Sequence, residues 1–118
     1  MSWSLDSDRP IFMQIIEHME MDIVSGALPP GAKIPSVREL AAEAAVNPNT
    51  MQRALGEMER RGLMRTERTS GRFVTDDADA ISALKKSIAT AGIGKFIAQM
   101  KGLGLGRDEV LNMIRDNY

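Results

Sequence analysis

The chain of 118 residues is 43% hydrophobic and 26% charged, enough for one packed core or one small domain with a helical appendage, with no room for a second large domain. It has no cysteine, which excludes a disulfide framework, a thiolate metal site and a cysteine nucleophile. The net charge of −1 hides an uneven distribution: residues 1–32 hold one cation against five acids, residues 33–72 eight cations against five, and residues 73–118 six of each. Seven of the eight central cations are arginine, so a polyanion can be met only through the middle third.

The opening residues, Met1-Ser2-Trp3-Ser4-Leu5-Asp6, have neither the basic region nor the apolar run of a signal peptide, and no apolar stretch approaches a membrane span. The expected location is the cytoplasm, with no membrane partner. Pro10 sets φ for a first helical turn, and Phe12, Ile15, Ile16, Met19 and Ile23 recur at helical spacing until Gly26, predicting a helix over about 10–25. Pro29-Pro30-Gly31 forbids continuation and leaves Lys33-Ile34 as a bridge or brief edge strand. Ser36-Val37-Arg38-Glu39 has capping-box spacing, so a second helix starts at Ser36 with Val37, Leu40, Ala41 and Ala44 on one face.

After a break near Ala45-Val46, Asn47 caps and Pro48 opens a third helix. Its buried stripe is Met51, Ala54, Leu55 and Met58, which leaves Asn49, Thr50, Gln52, Arg53 and Gly56 facing outward. Two helices joined by so short a turn make a helix-turn-helix. Residues 63–67 and 72–75 flank Arg68-Thr69-Ser70-Gly71 as a hairpin, the candidate wing. Asp76-Asp77-Ala78-Asp79 opens a further helix with the stripe Ile81, Leu84 and Ile88, which Gly92 and Gly94 are expected to interrupt. Two short helices are expected beyond, one carrying Phe96 and Met100, the other Val110 and Ile114. The predicted fold is mainly α with a small β-hairpin: a winged helix-turn-helix at 1–75 and a short helical dimerisation or effector region at 76–118.

A helix-turn-helix presents the first turns of its second helix to the major groove. There Asn49 and Gln52 can pair with adenine, Arg53 with guanine, and Thr50 with a phosphate or a thymine methyl. Arg38 is placed for phosphate, and Arg68, Ser70 and Arg72 for the backbone or minor groove. Asp76, Asp77 and Asp79 sit where a helix N-terminus favours acids, which explains them better than a metal site does. His18 is the only histidine, so it completes neither a zinc set nor a catalytic constellation, and no enzyme is expected. The methionines fall mostly on apolar stripes, as adaptable core fillers. A rival use of the fold is protein docking, with Arg53, Arg60, Arg61 and Arg65 facing an acidic partner.

The segments Pro10-Ile11-Phe12-Met13-Gln14-Ile15, Ser25-Gly26-Ala27-Leu28-Pro29-Pro30-Gly31 and Ile34-Pro35-Ser36-Val37-Arg38-Glu39-Leu40-Ala41 closely resemble the GntR family of bacterial regulators. The stretch from Val46-Asn47-Pro48-Asn49-Thr50 through Gln52-Arg53-Ala54-Leu55 to Gly62-Leu63 is similar to the YtrA subfamily, whose members have a short helical C-terminal part. The resemblance covers about residues 10–75. It implies that Arg38, Asn49, Thr50, Gln52 and the wing near Gly71 fall where relatives touch DNA, with Arg53 adjacent. The full expected set is Ser36, Arg38, Asn47, Asn49, Thr50, Gln52, Arg53, Arg68, Ser70, Gly71 and Arg72. About 43 residues follow the wing, too few for the large ligand-binding domains of other subfamilies, whose metal-binding histidines are absent.

Ala45 and Thr69 stand where relatives often have glycine, and a positive φ is harder for both. The expected consequences are a different backbone in the turn and a displaced wing tip. The expected function is sequence-specific transcription regulation, as a repressor, on an inverted-repeat operator in double-stranded DNA. The expected assembly is a homodimer through Ile81, Leu84, Ile88, Phe96, Met100, Val110 and Ile114. No metal or cofactor is expected, and an unidentified small-molecule effector stays open.

Overall fold

In the computed structural model, which describes residues 3–118, five helices and one hairpin follow in the order α1 (Ile11–Ser25), α2 (Val37–Ala44), α3 (Pro48–Arg60), β1 (Met64–Glu67), β2 (Gly71–Val74), α4 (Ala78–Gly102) and α5 (Arg107–Asn117). Met1 and Ser2, the start of the segment read for a leader, lie outside the described residues. Two compact units divide the chain, Met1–Leu84 and Lys85–Tyr118. Among the described residues no helix is long and apolar enough to cross a membrane.

The first unit is built on three helices whose stripes are those the spacing predicts. Pro10 stands at the N-cap position of α1 with no side-chain capping bond, the helix buries Ile15, Ile16, Met19 and Ile23, and Gly26 ends it in the left-handed conformation at φ 85°. A buried Gln14 holds the preceding arm against this helix: its Nε2 donates to the carbonyls of Asp6 (2.7 Å) and Arg9 (2.9 Å), and its Oε1 accepts from Asp6 N at 2.7 Å. In α3, Met51, Ala54, Leu55 and Met58 are fully covered. Truncating one of the larger members, as in Leu55→Ala, costs about 2–5 kcal/mol. Buried Met19, Met51, Met58 and Met64 fill the core as adaptable side chains do.

The helix-turn-helix turn departs from the expectation of an altered backbone. Ala45 itself takes the left-handed conformation, φ 56° and ψ 47°, that a glycine would supply. Val46 N donates to Ala41 O at 3.0 Å and Ala45 N to Ala42 O at 3.3 Å, the paired bonds of a Schellman motif. Those bonds offset the roughly 1–2 kcal/mol that an L-residue pays in this region. Thr69 needs no such conformation, because Ala45 is the only non-glycine residue with positive φ among the described residues, and Gly71 supplies φ 111° in the wing.

β1 and β2 pair antiparallel with Met64 opposite Val74 and Thr66 opposite Arg72. On its other edge β2 meets the Lys33-Ile34 segment through a bridge at Lys33 and Phe73, with Ile34 N donating to Arg72 O at 2.9 Å. This confirms the brief bridge read from the proline-bounded segment.

The C-terminal helices correct the sequence reading. Gly92 and Gly94 do not interrupt α4, which runs unbroken from Ala78 to Gly102, so one long helix takes in both the helix expected from Asp76 and the short one expected to carry Phe96 and Met100, while the last, with Val110 and Ile114, forms as α5. A helical glycine costs only about 1 kcal/mol against alanine, and the surrounding alanines, lysines and leucine propagate the helix through it. The chain turns only at Gly104, where φ is 81°. Asp77 Oδ1 accepts from Asp79 N at 3.0 Å and Ala80 N at 3.3 Å, so the acidic cluster caps α4 as expected. Ile81 and Leu84 are half-buried against the core of the first unit. In the second unit the C-terminal half of α4 and α5 line an apolar groove with Phe96, Met100, Val110 and Ile114.

Candidate nucleic-acid interface

The two helix N-termini that would meet DNA are set by side-chain caps. Ser36 Oγ accepts from Glu39 N at 3.1 Å while Glu39 Oε1 accepts from Ser36 N at 3.4 Å, which completes the predicted capping box and leaves Arg38 exposed in the first turn of α2. Asn47 Oδ1 accepts from Asn49 N at 2.7 Å, and Pro48 occupies the first turn of α3. The packed stripe of α3 forces the opposite face outward: Asn49, Gln52 and Arg53 are exposed and Thr50 is half-buried. Backbone N–H groups at such termini favour phosphate.

The structure brings some of the predicted residues together and separates others. Ser36, with Lys33, Val37 and Glu39, lines one groove with Ser70, Gly71 and Arg72 of the wing and Thr66. Asn47 and Thr50 line a separate depression beside Asp6 and Ser7 of the N-terminal arm and Ala45 of the turn. Arg68 and Ser70 are exposed at the wing tip, where Ser70 N donates to Glu67 O at 3.2 Å.

Ion pairing sorts the cations of the middle third. Glu57 takes hydrogen bonds from Arg60 (2.8 and 2.6 Å) and Arg61 (2.8 Å), and these hold its carboxyl at about 2, well below the usual carboxylate range. Arg61 also reaches Glu20 on α1 at 3.2 Å. Arg65 pairs with Glu67 at 3.3 Å and Asp76 at 4.0 Å. Arg72 Nε donates to Glu59 Oε1 at 3.1 Å, and this half-buried pair also takes in Thr66 Oγ1, which donates to the same oxygen. Among the described residues Lys33, Arg38, Arg53 and Arg68 carry no ion pair. The protein-docking alternative relied on Arg53, Arg60, Arg61 and Arg65, three of which are already neutralised within the chain.

Three residues of this surface carried no sequence signal of their own. Lys33 was visible only as charge, yet its Cε would lie 3.2 Å from a Cβ added at Gly71, so it flanks the wing. Glu59 looked like one of several acids on a polar helix. Phe12 belongs to the apolar stripe of α1, but its ring lies under the guanidinium of Arg53, with Cζ 4.7 Å from the ring centroid.

Residues 13–74 match the bacterial regulatory proteins of the gntR family. The chain belongs to the GntR family. Among GntR relatives, the uncharacterized HTH-type transcriptional regulator YhcF of Bacillus subtilis is 41% identical over 92% of this chain and 90% of its own length. The HTH-type transcriptional repressor YtrA of the same bacterium is 43% identical over 61% of this chain and 55% of its own. A solved GntR family transcriptional regulator from Listeria monocytogenes, 35% identical, has a TM-score of 0.89 covering 95% of this chain and 98% of that one. The DNA-binding domain of AraR, solved in complex with operator ORX1, is 28% identical with a TM-score of 0.54, covering 64% of this chain and 92% of that one. This GntR chain is thus a YtrA-like, DNA-binding transcription regulator with a winged helix, and not an enzyme.

Proposed function

We propose that this regulator is a cytoplasmic repressor that grips an inverted-repeat operator as a homodimer. Residues 1–75 read the DNA and residues 76–118 join the two copies. The observation that carries the reading is the sorting of charge: among the described residues Lys33 beside the wing, Arg38 in the first turn of α2, Arg53 on the exposed face of α3 and Arg68 at the wing tip carry no ion pair, while the other central arginines are engaged by acids. Asn49, Thr50 and Gln52 enter the major groove and meet base edges. Ser36, Arg38 and Asn47 hold phosphates of the backbone, and Arg68, Ser70, Gly71 and Arg72 bring the wing to the flanking strand.

The dimer rests on apolar surface that the chain alone leaves open. In the second unit Ile93 is 58% exposed, Ile97 43% and Leu111 42%, beside the groove lined by Phe96, Met100, Val110 and Ile114. A contiguous patch of this kind is rarely left in water, and an isologous contact is the commonest cover for it. Ile88 belongs to the same helix, whereas Ile81 and Leu84 already pack within the first unit.

Selection of duplexes from a randomised pool, followed by light scattering of the complex, tests the proposal. The expected product is a sequence with two inverted half-sites about 10 base pairs apart, holding two chains. Recovery of a single half-site with one chain bound at full affinity would overturn it. Phe96→Asp with Ile114→Asp is expected to give monomers that bind the selected duplex weakly and with little sequence preference.

A further inference from the structure

We propose that Phe12, on α1, is a positioning residue that presents Arg53 of α3 to a DNA phosphate. The inference rests on the DNA interface proposed above and adds to it a residue from outside the helix-turn-helix. Arg53 is exposed and carries no ion pair among the described residues, and its guanidinium lies over the Phe12 ring. Phe12 is half-buried and packs against the core, so the ring is a fixed platform rather than a loose surface side chain.

The stack leaves the chemistry of the guanidinium intact. Attraction between the cation and the ring uses the flat face of the group, whereas its N–H donors lie in the plane and point past the rim of the ring. A long flexible side chain is thereby ordered before DNA arrives, with its donor fork open to a bidentate acceptor. Leaning on α1 also draws Arg53 to the flank of α3, away from the central line of Gln52. The flank of a helix lying in the major groove faces the backbone that walls the groove, so the acceptor is a phosphate oxygen and not a base edge.

The test uses the full chain and the tightest duplex that the parent recovers from a randomised pool, titrated at several salt concentrations. Phe12→Leu keeps an apolar side chain in the core but removes the ring, and is expected to weaken binding about two- to fivefold. It flattens the salt dependence by up to about one charge and leaves the preferred sequence unchanged. Arg53→Ala has the same signature, Phe12→Leu adds nothing to it, and Phe12→Tyr, which retains a ring, binds like the parent. Thermal melting controls for lost packing. If Phe12→Leu binds as tightly as the parent, binds more tightly because the stack withholds Arg53, or adds its full effect to Arg53→Ala, the proposal is overturned while the interface stands. A parent chain that enriches no duplex removes the interface and this inference together.

Discussion

The Glu59 carboxylate binds Arg72 Nε at 3.1 Å and, through the same oxygen, the hydroxyl of Thr66, so one acid at the end of α3 is tied to both strands of the wing. Thr66 and Arg72 are cross-strand partners, which lets a single carboxylate reach both. The tie sets the angle between the helix proposed to enter the groove and the hairpin proposed to flank it. Glu59→Ala is therefore expected to lower stability by about 1–2 kcal/mol, since it strands a half-buried arginine. Arg72→Ala should show a similar loss, together with weaker binding to the selected duplex. Thermal melting beside DNA titration checks this; variants that melt with the parent would show that the wing is held by its backbone bonds alone.

Base and phosphate contacts separate in a second pair of variants. Gln52→Ala should relax base preference at one position while leaving the salt slope near that of the parent. Arg38→Ala should weaken all sequences alike and reduce the slope by about one. Titrations against the selected duplex and a scrambled one, at several salt concentrations, read both quantities. Parent-like behaviour in both variants would remove α2 and α3 from the interface.

Ala45 offers a stability test far from any charge. Its left-handed φ of 56° is natural for glycine and strained for alanine. Ala45→Gly should stabilise the fold by about 1 kcal/mol, less some entropy gained by the unfolded chain, and raise Tm by about 4 °C. An unchanged or lower Tm would mean that the Schellman bonds relax the strain completely.

Glu57 predicts a specific acid titration. Its folded carboxyl is held at about 2 by hydrogen bonds from Arg60 and Arg61, against an ordinary value of 4.5. Because the folded value is the lower one, the stabilisation is fully present above about pH 4.5 and is lost as pH falls toward 2. Carboxyl NMR should show Glu57 still ionised at pH 3, and Arg60→Ala should move its midpoint upward. A midpoint near 4.5 in the parent would mean that the arginines do not hold it in solution.

Most of the winged unit was legible because its signals are local. The stripe Met51, Ala54, Leu55 and Met58 follows from helical periodicity, and the capping box at Ser36 and Glu39 from a spacing of three residues. The two glycines in α4 misled for the opposite reason. Their local cost is real, but it is spread over a helix of 25 residues that absorbs it.

The sequence by itself determined where helices begin and which faces they bury, since dihedral preferences, caps and apolar spacing act within a few residues of one another. It also determined the family, through linked motifs in the first two thirds of the chain. Only the tertiary structure decided which of the central cations are free, because Arg61 meets Glu20 and Arg72 meets Glu59 across long stretches of sequence that folding alone brings together. The same holds for Phe12, an ordinary apolar residue in its own helix that gains a role at the surface when α1 packs beside α3 and sets its ring beneath Arg53.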